Sequence, residues 1–289
     1  MAAPELVRAT SHGVTLLGDP SRPGGVTLAF TERSGGVSSG AFSSLNLGDR
    51  CGDDPALVAL NRRRALAAVG AAELEGRLVL PNQVHGDHVV VVTDGSAASV
   101  LRAQEEASEG ADAVVCTARE VPVLMVFADC VPVVLVCRDA FAVVHSGWRG
   151  AMARIAEKAV RALCDAAGTN PAEVLSYIGP HVGPGDYVVS ADLASRFEGE
   201  FGPGFVLGGP RLDLGAVVRA SLLRAGVLPG HVAECDASTA SHTNRFFSYR
   251  AEGGVCGRHG ALAVLLADQT HGASCEASLG KTEEREDDR

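Results

Sequence analysis

The chain has 289 residues, 46% hydrophobic and 21% charged, a globular composition long enough to bury a substantial core, which excludes disorder or a fibrous repeat for its bulk. Lys and Arg number 25 against 35 Asp and Glu, a formal charge of −10, which argues against a general nucleic-acid-binding surface and favours small-molecule chemistry. The eight cysteines include no CxxC pair and read as reduced thiols.

Residues 1–25 read as an N-terminal extension rich in Gly and Pro, and residues 1–10, which carry Glu5, show no apolar run of signal-peptide length. A first strand is predicted at 26–30, leading into Thr31-Glu32-Arg33-Ser34-Gly35-Gly36-Val37-Ser38, whose glycines serve turns because no Walker Lys follows. Asp53 or Asp54 caps the next element, a helix with Pro55 in its first turn and Leu57, Leu60, Leu66 and Val69 near helical spacing up to Gly70. Short β-branched runs at 77–80, 88–92, 113–116, 121–127, 133–137 and 141–145 read as strands. Several are apolar on both faces, so sheet covered by helices is expected. Helices are predicted at 151–167, ended by Gly168, and at 214–225, ended by Gly226, and a last strand at 261–267. The most apolar stretch, 121–137, is interrupted by Pro122, Asp129 and Pro132 and is shorter than the ~20 residues of a spanning helix. A soluble, cytoplasmic protein without membrane contact is expected. The fold class is mixed α/β (α+β): one catalytic domain over 26–270 with mixed β-sheet layers under helices, and an acidic, disordered tail over 271–289.

The turn Arg138-Asp139-Ala140 makes a hairpin of the strands on either side of it. In an antiparallel pair the start of one strand lies beside the end of the other. Cys130, in Phe127-Ala128-Asp129-Cys130-Val131-Pro132, and His145, in His145-Ser146-Gly147-Trp148-Arg149-Gly150, therefore emerge at one sheet end. His85 sits in a polar cluster, Asn82-Gln83-Val84-His85-Gly86-Asp87-His88. The set His85, Cys130 and His145 suits zinc with a fourth position open, the pattern of a catalytic rather than a structural site. Asp129 or His88 would supply a fourth ligand if the site were structural.

These segments, with Ser44-Leu45-Asn46-Leu47-Gly48, Ile178-Gly179-Pro180 and Phe246-Phe247-Ser248-Tyr249-Arg250, occur in an order that resembles the family long labelled polyphenol oxidase or laccase domain. That family is now associated with purine nucleoside phosphorylase and adenosine deaminase activity. The resemblance implies a zinc or copper site at His85, Cys130 and His145. It also implies phosphorolysis of adenosine, inosine, guanosine and 5′-methylthioadenosine, and deamination of adenosine to inosine. Ser146, Cys256 and His181 depart from the usual pattern without removing a ligand.

Within that chemistry Asp129 is the expected acid for departing ammonia. Arg149, with Arg33 and Arg258 as weaker candidates, would bind phosphate through the planar guanidinium fork. Asn46 and Gln83 would hydrogen-bond ribose or base, and Trp148 would anchor a helix start. Purine nucleosides and phosphate are the expected partners of a monomer or weak homo-oligomer. A full laccase copper cluster requires His-x-His pairs, and none of the nine histidines forms one. Three alternatives remain: a metal-independent cysteine hydrolase or amidase using Cys130 and His145, a single-copper phenol oxidase, and a non-enzymatic binding protein in which zinc is a structural staple.

Overall fold

A computed structural model describes residues 2–267. The acidic tail expected over 271–289 lies outside the described residues.

In chain order the elements are β1 (Val7–Ser11), β2 (Val14–Gly18), β3 (Val26–Thr31), α1 (Pro55–Ala68), β4 (Val89–Val92), α2 (Ala97–Glu109), β5 (Ala113–Cys116), β6 (Val123–Phe127), β7 (Val131–Cys137) and β8 (Ala140–Ser146). They continue through α3 (Trp148–Met152), α4 (Ile155–Ala167), β9 (Leu175–Ile178), α5 (Ala191–Phe201), β10 (Val206–Leu207), β11 (Arg211–Leu212), α6 (Leu214–Arg224), β12 (Val232–Glu234) and β13 (His259–Leu265). One antiparallel sheet has the order β1-β2-β3-β13-β6, and a mixed sheet has the order β12-β9-β7-β8-β5-β4.

Strand periodicity explains how the layers stack. On β7 and β8, Val134, Val136, Phe141 and Val143 point into a core shared with Phe30, Met125, Phe127 and Ala261 of the other sheet. The alternate residues Val133, Leu135, Ala142 and Val144 face the opposite side, against Ile155, Ala159 and Leu163 of α4 and Val217, Val218 and Leu222 of α6. Successive side chains of a strand point to opposite faces, so both faces of these strands are buried and both are apolar. The outer face of the antiparallel sheet packs Leu124, Leu262 and Val264 against Ala65 and Leu66 of α1 and the loop residues Leu45 and Leu47. The architecture is therefore mixed α/β, two stacked sheets with helices outside each.

Several expectations need correction. The N-terminal extension carries β1 and β2, which pair from Val7↔Gly18 to Ser11↔Val14 and continue the sheet through β3. Residues 77–80 are not a strand; after a 3-10 turn at Ala72–Arg77, only a bridge from Val79 to Val123 forms. The helix predicted at 151–167 is divided into α3 and α4 at Arg154, whose φ of 60° leaves the helical region. Helices α2 and α5 were not expected at all.

Candidate active site and metal centre

Pro132 pairs with His145 and Val131 with Ser146, so the hairpin brings Cys130 and His145 to one end of the mixed sheet as the turn length requires. His145 has the parity of Phe141 and Val143, which turns its ring into the space between the sheets, 5.3 Å from the Phe127 ring. His85 arrives from a separate loop. Gln83 pins that loop to the edge strand β6, its amide donating to the Val126 carbonyl and accepting from the Val126 N–H, both at 2.8 Å. The His85 backbone sits at φ 59°, a left-handed conformation that non-glycine residues rarely hold unless their surroundings enforce it.

The ligand atoms of His85, Cys130 and His145 lie within 4.8 Å of one another. Cys130 Sγ is 3.8 Å from His85 Nε2, and the two imidazoles meet edge to face at 4.8 Å between centroids. Tetrahedral zinc bound by two nitrogens and a sulfur separates its donors by about 3.3–3.6 Å, so the cluster fits a single ion after a small contraction. His145 Nδ1 is bonded at 2.6 Å to Asp112 Oδ1, which leaves Nε2 for the ion, the usual carboxylate–histidine arrangement of a metal centre. Zinc suits this donor set, with copper the alternative. Neither suggested fourth ligand joins the group: His88 is bonded to Glu106 at 2.9 Å, and Asp129 is engaged elsewhere.

Without an ion the three residues form an acidified thiol. Burial opposes ionisation of Cys130, but the neighbouring His145 and His85 outweigh it and bring the thiol down to about 6. The Cys130 thiolate and the Asp112 carboxylate conversely raise His145 to about 9 against its own burial.

The cluster lines a cleft of about 1000 Å³. Five arginines share that lining, Arg50, Arg62, Arg149, Arg250 and Arg258, with the aromatic rings of Trp148, Tyr187 and Tyr249. A chain with a formal charge of −10 thus presents a cationic cleft. Arg62 is paired to Asp49 at 3.2 Å. Arg250 donates to the Val188 carbonyl and lies over Tyr187. Arg258 gives one nitrogen to the carbonyls of Cys256 and Gly257. Arg149 stacks on Trp148 at 4.9 Å and is exposed on the cleft lining.

Three expected roles do not match this geometry. Asn46 is fully buried; its amide donates to Gly48 O and Asp53 and accepts from the N–H groups of Gly48 and Arg258. It knits loops together behind the cleft rather than lining it. Arg33 donates to the carbonyls of Ser43 and Thr243 and to Glu252, and covers the Phe247 ring at 4.2 Å. That guanidinium is a clamp between distant loops. Asp129 lines the cleft, but its carboxylate accepts from Thr239 Oγ1, Ser248 Oγ and the Arg250 N–H. Three donors make it an acceptor that holds the 239–250 wall in place. Of the departures noted above, His181 is buried and its Nδ1 bonds the Gly179 carbonyl.

Arg50, Arg62, Tyr187, Tyr249 and Arg250 join the cleft lining and Asp112 joins the cluster without having been candidates from the sequence. Asp112 carries a local signal, an acid directly preceding the apolar run of β5, but its role depends on the pairing of β5 with β8, in which Ala113 lies opposite Val144.

A family model described as multi-copper polyphenol oxidoreductase laccase matches residues 27–266. The chain is 34% identical over 251 residues to a Corynebacterium glutamicum protein named purine nucleoside phosphorylase, spanning 86% of this chain and 97% of that one. It is 36% identical over 262 residues to a protein of the same name from Deinococcus radiodurans, spanning 89% and 95% of the two. Among solved structures, YlmD from Geobacillus stearothermophilus superposes with a TM-score of 0.80 at 30% identity, over 90% of this chain and 99% of that one.

Proposed function

The chain belongs to the multi-copper polyphenol oxidoreductase laccase family, and from that premise we propose that it is a purine nucleoside phosphorylase that also deaminates adenosine. The proposed substrates of phosphorolysis are adenosine, inosine, guanosine and 5′-methylthioadenosine. The observation that supports this reading is one cleft lined by five arginines, aromatic rings and a histidine–cysteine–histidine cluster together. The laccase part of the family description suits the residues poorly. Among the described residues the candidate ligand set is a single three-residue cluster, whereas a multicopper oxidase needs several coppers.

In phosphorolysis a phosphate oxygen forms a bond to C1′ of the ribose as the C1′–N9 bond breaks. The purine leaves with the bonding pair and takes up a proton. Arg149 offers a planar fork to two phosphate oxygens, with Arg258 beside the same cleft. Trp148, Tyr187 and Tyr249 supply flat surfaces on which a purine stacks, and Asp129 fixes the wall that carries Tyr249 and Arg250. When bound, an ion at His85, Cys130 and His145 supplies the Lewis acidity that hydrolytic deamination at C6 of adenine requires.

The test is one purified sample given adenosine with and without phosphate, before and after chelation, with inosine, adenine and hypoxanthine separated. Phosphate-dependent adenine release and metal-dependent inosine formation are expected. Metal bound without either product would refute the nucleoside reading. The acidified Cys130 beside His145 favours one second reading, a metal-independent cysteine hydrolase or amidase. There, thiol alkylation abolishes turnover and chelation leaves it intact.

A further inference from the structure

Among the described residues Asp112 is the one carboxylate hydrogen-bonded to two of the three candidate ligands, and it does so with no exposure to solvent. Its Oδ1 receives His145 Nδ1 at 2.6 Å and the His85 backbone N–H at 3.1 Å. Its Oδ2 receives the Gly86 N–H at 2.6 Å and the Val84 N–H at 3.3 Å. Its own carbonyl accepts the His145 N–H at 2.8 Å across the β5–β8 ladder. Four donors thus converge on two carboxylate oxygens, and they come from a sheet strand and from an irregular loop that share no ladder.

We propose that Asp112 is a positioning residue that assembles the metal centre by setting the tautomer of His145 and the backbone turn of His85 with one buried carboxylate. On the His145 side, an acceptor that carries no proton holds the ring hydrogen on Nδ1 and leaves the Nε2 lone pair facing Cys130 and His85. On the His85 side, three consecutive N–H groups wrapped around the carboxylate hold the 84–86 turn in which His85 keeps its left-handed backbone. Loss of the carboxylate therefore disturbs two ligands, through different atoms. The proposal rests on the reading of this cluster as a metal centre and is independent of the nucleoside chemistry.

The substitution Asp112→Asn separates this role from simple bracing. Asn has the same shape but one acceptor oxygen. With that oxygen toward His145, the amide NH2 confronts the Val84 and Gly86 N–H groups and the turn opens. With the amide flipped, NH2 faces His145 Nδ1, forces the ring proton to Nε2 and removes the ligand lone pair. Either orientation costs one ligand.

The experiment is zinc affinity by chelator competition for wild type, Asp112→Asn and Glu32→Gln, with the absorption of the cobalt(II)-substituted proteins recorded alongside. Glu32 is an equally buried carboxylate, 2% exposed and paired with Arg8 and Arg245, so its loss reports general destabilisation. Asp112→Asn is expected to weaken zinc binding about 10–100-fold and to alter the cobalt spectrum, while Glu32→Gln changes neither. Equal zinc affinity in wild type and Asp112→Asn overturns the proposal alone. Absence of zinc binding by wild type overturns it together with the metal reading. Should Asp112→Asn fail to fold, nitrogen NMR of the histidine rings in zinc-loaded wild type decides the matter. A proton on Nδ1 of His145 supports the assignment, and a proton on Nε2 refutes it.

Discussion

Gly147 packs directly against the cluster, and Gly147→Ala tests whether that closeness matters. The residue has φ −76° and ψ 175°, extended backbone open to any amino acid, so alanine introduces no backbone strain and acts through its methyl alone. A Cβ there would stand 2.8 Å from His85 Cδ2 and 3.0 Å from Cys130 Sγ. Non-bonded carbons rest at about 3.5–4.0 Å, so the His85 ring must retreat by roughly 0.7 Å or more, and Cys130 by a similar distance. Metal ligands tolerate errors of about 0.2 Å, and a displacement approaching 1 Å in a catalytic group costs on the order of 100-fold in rate. The expected result is zinc affinity and metal-dependent inosine formation each reduced at least about 10-fold. The fold should survive with the roughly 1–3 kcal/mol penalty of one overpacked methyl. The assay is chelator competition and product separation on protein shown to be folded by thermal denaturation. A folded Gly147→Ala protein with wild-type affinity and wild-type inosine formation would refute the assignment of this cluster as the working centre.

Arg149→Ala should raise the phosphate KM at least about 10-fold, the loss expected for a charge-assisted hydrogen bond, with metal content unchanged; an unaltered phosphate dependence would move the anion to another arginine. Arg33→Met should do the reverse, lowering thermal stability while the folded fraction keeps its phosphate KM, because its guanidinium is spent on loop carbonyls and Glu252. Asp129→Ala frees Thr239, Ser248 and Arg250 together and should lower kcat/KM for nucleosides at unchanged zinc affinity; a parallel fall in zinc affinity would count against its separation from the metal centre. For Glu32, burial opposes ionisation, but Arg8 and Arg245 outweigh it and hold the carboxylate below its ordinary 4.5. A depressed folded-state value gives stability that is present above the unfolded value and lost as pH falls through the folded one. Glu32→Gln should therefore lower Tm at pH 7 by the equivalent of about 1–3 kcal/mol, with the gap to wild type narrowing as pH drops below about 4.5; a gap independent of pH would refute the ion-pair account.

Local chemistry made part of this molecule readable from the chain. Helix α1 follows from a capping Asp54 that accepts from the Ala56 N–H, with Pro55 behind it. Helix α4 ends in a left-handed Gly168. The short turn at 138–140 forces β7 and β8 into a hairpin, and that alone places Cys130 beside His145. By contrast, α2 buries Val100, Ala103 and Ala107, a stripe made mostly of small side chains that leaves little hydrophobic contrast in the sequence. In α5 the buried stripe is only Ala194 and Phe197. Strand β1 is mostly exposed, so its residues carry no core-facing alternation, and only pairing with β2 makes it a strand.

The site divides along the same line. Residue types and one hairpin sufficed to nominate His85, Cys130 and His145, because histidine and cysteine are common zinc ligands and a two-strand turn has few geometries. Tertiary structure alone decided which polar residues face the cleft. Asn46 and Arg33 have the same donors as any substrate-binding residue, and only their long-range partners show that those donors are consumed within the fold. Asp112 gained its place through the β5–β8 ladder and a loop 27 residues away from it in sequence, and Arg250 and Tyr249 gained theirs through the carboxylate of Asp129. The sequence determines what each side chain is able to donate or accept; which of those capacities remains free for a ligand is settled by contacts between segments far apart in the chain.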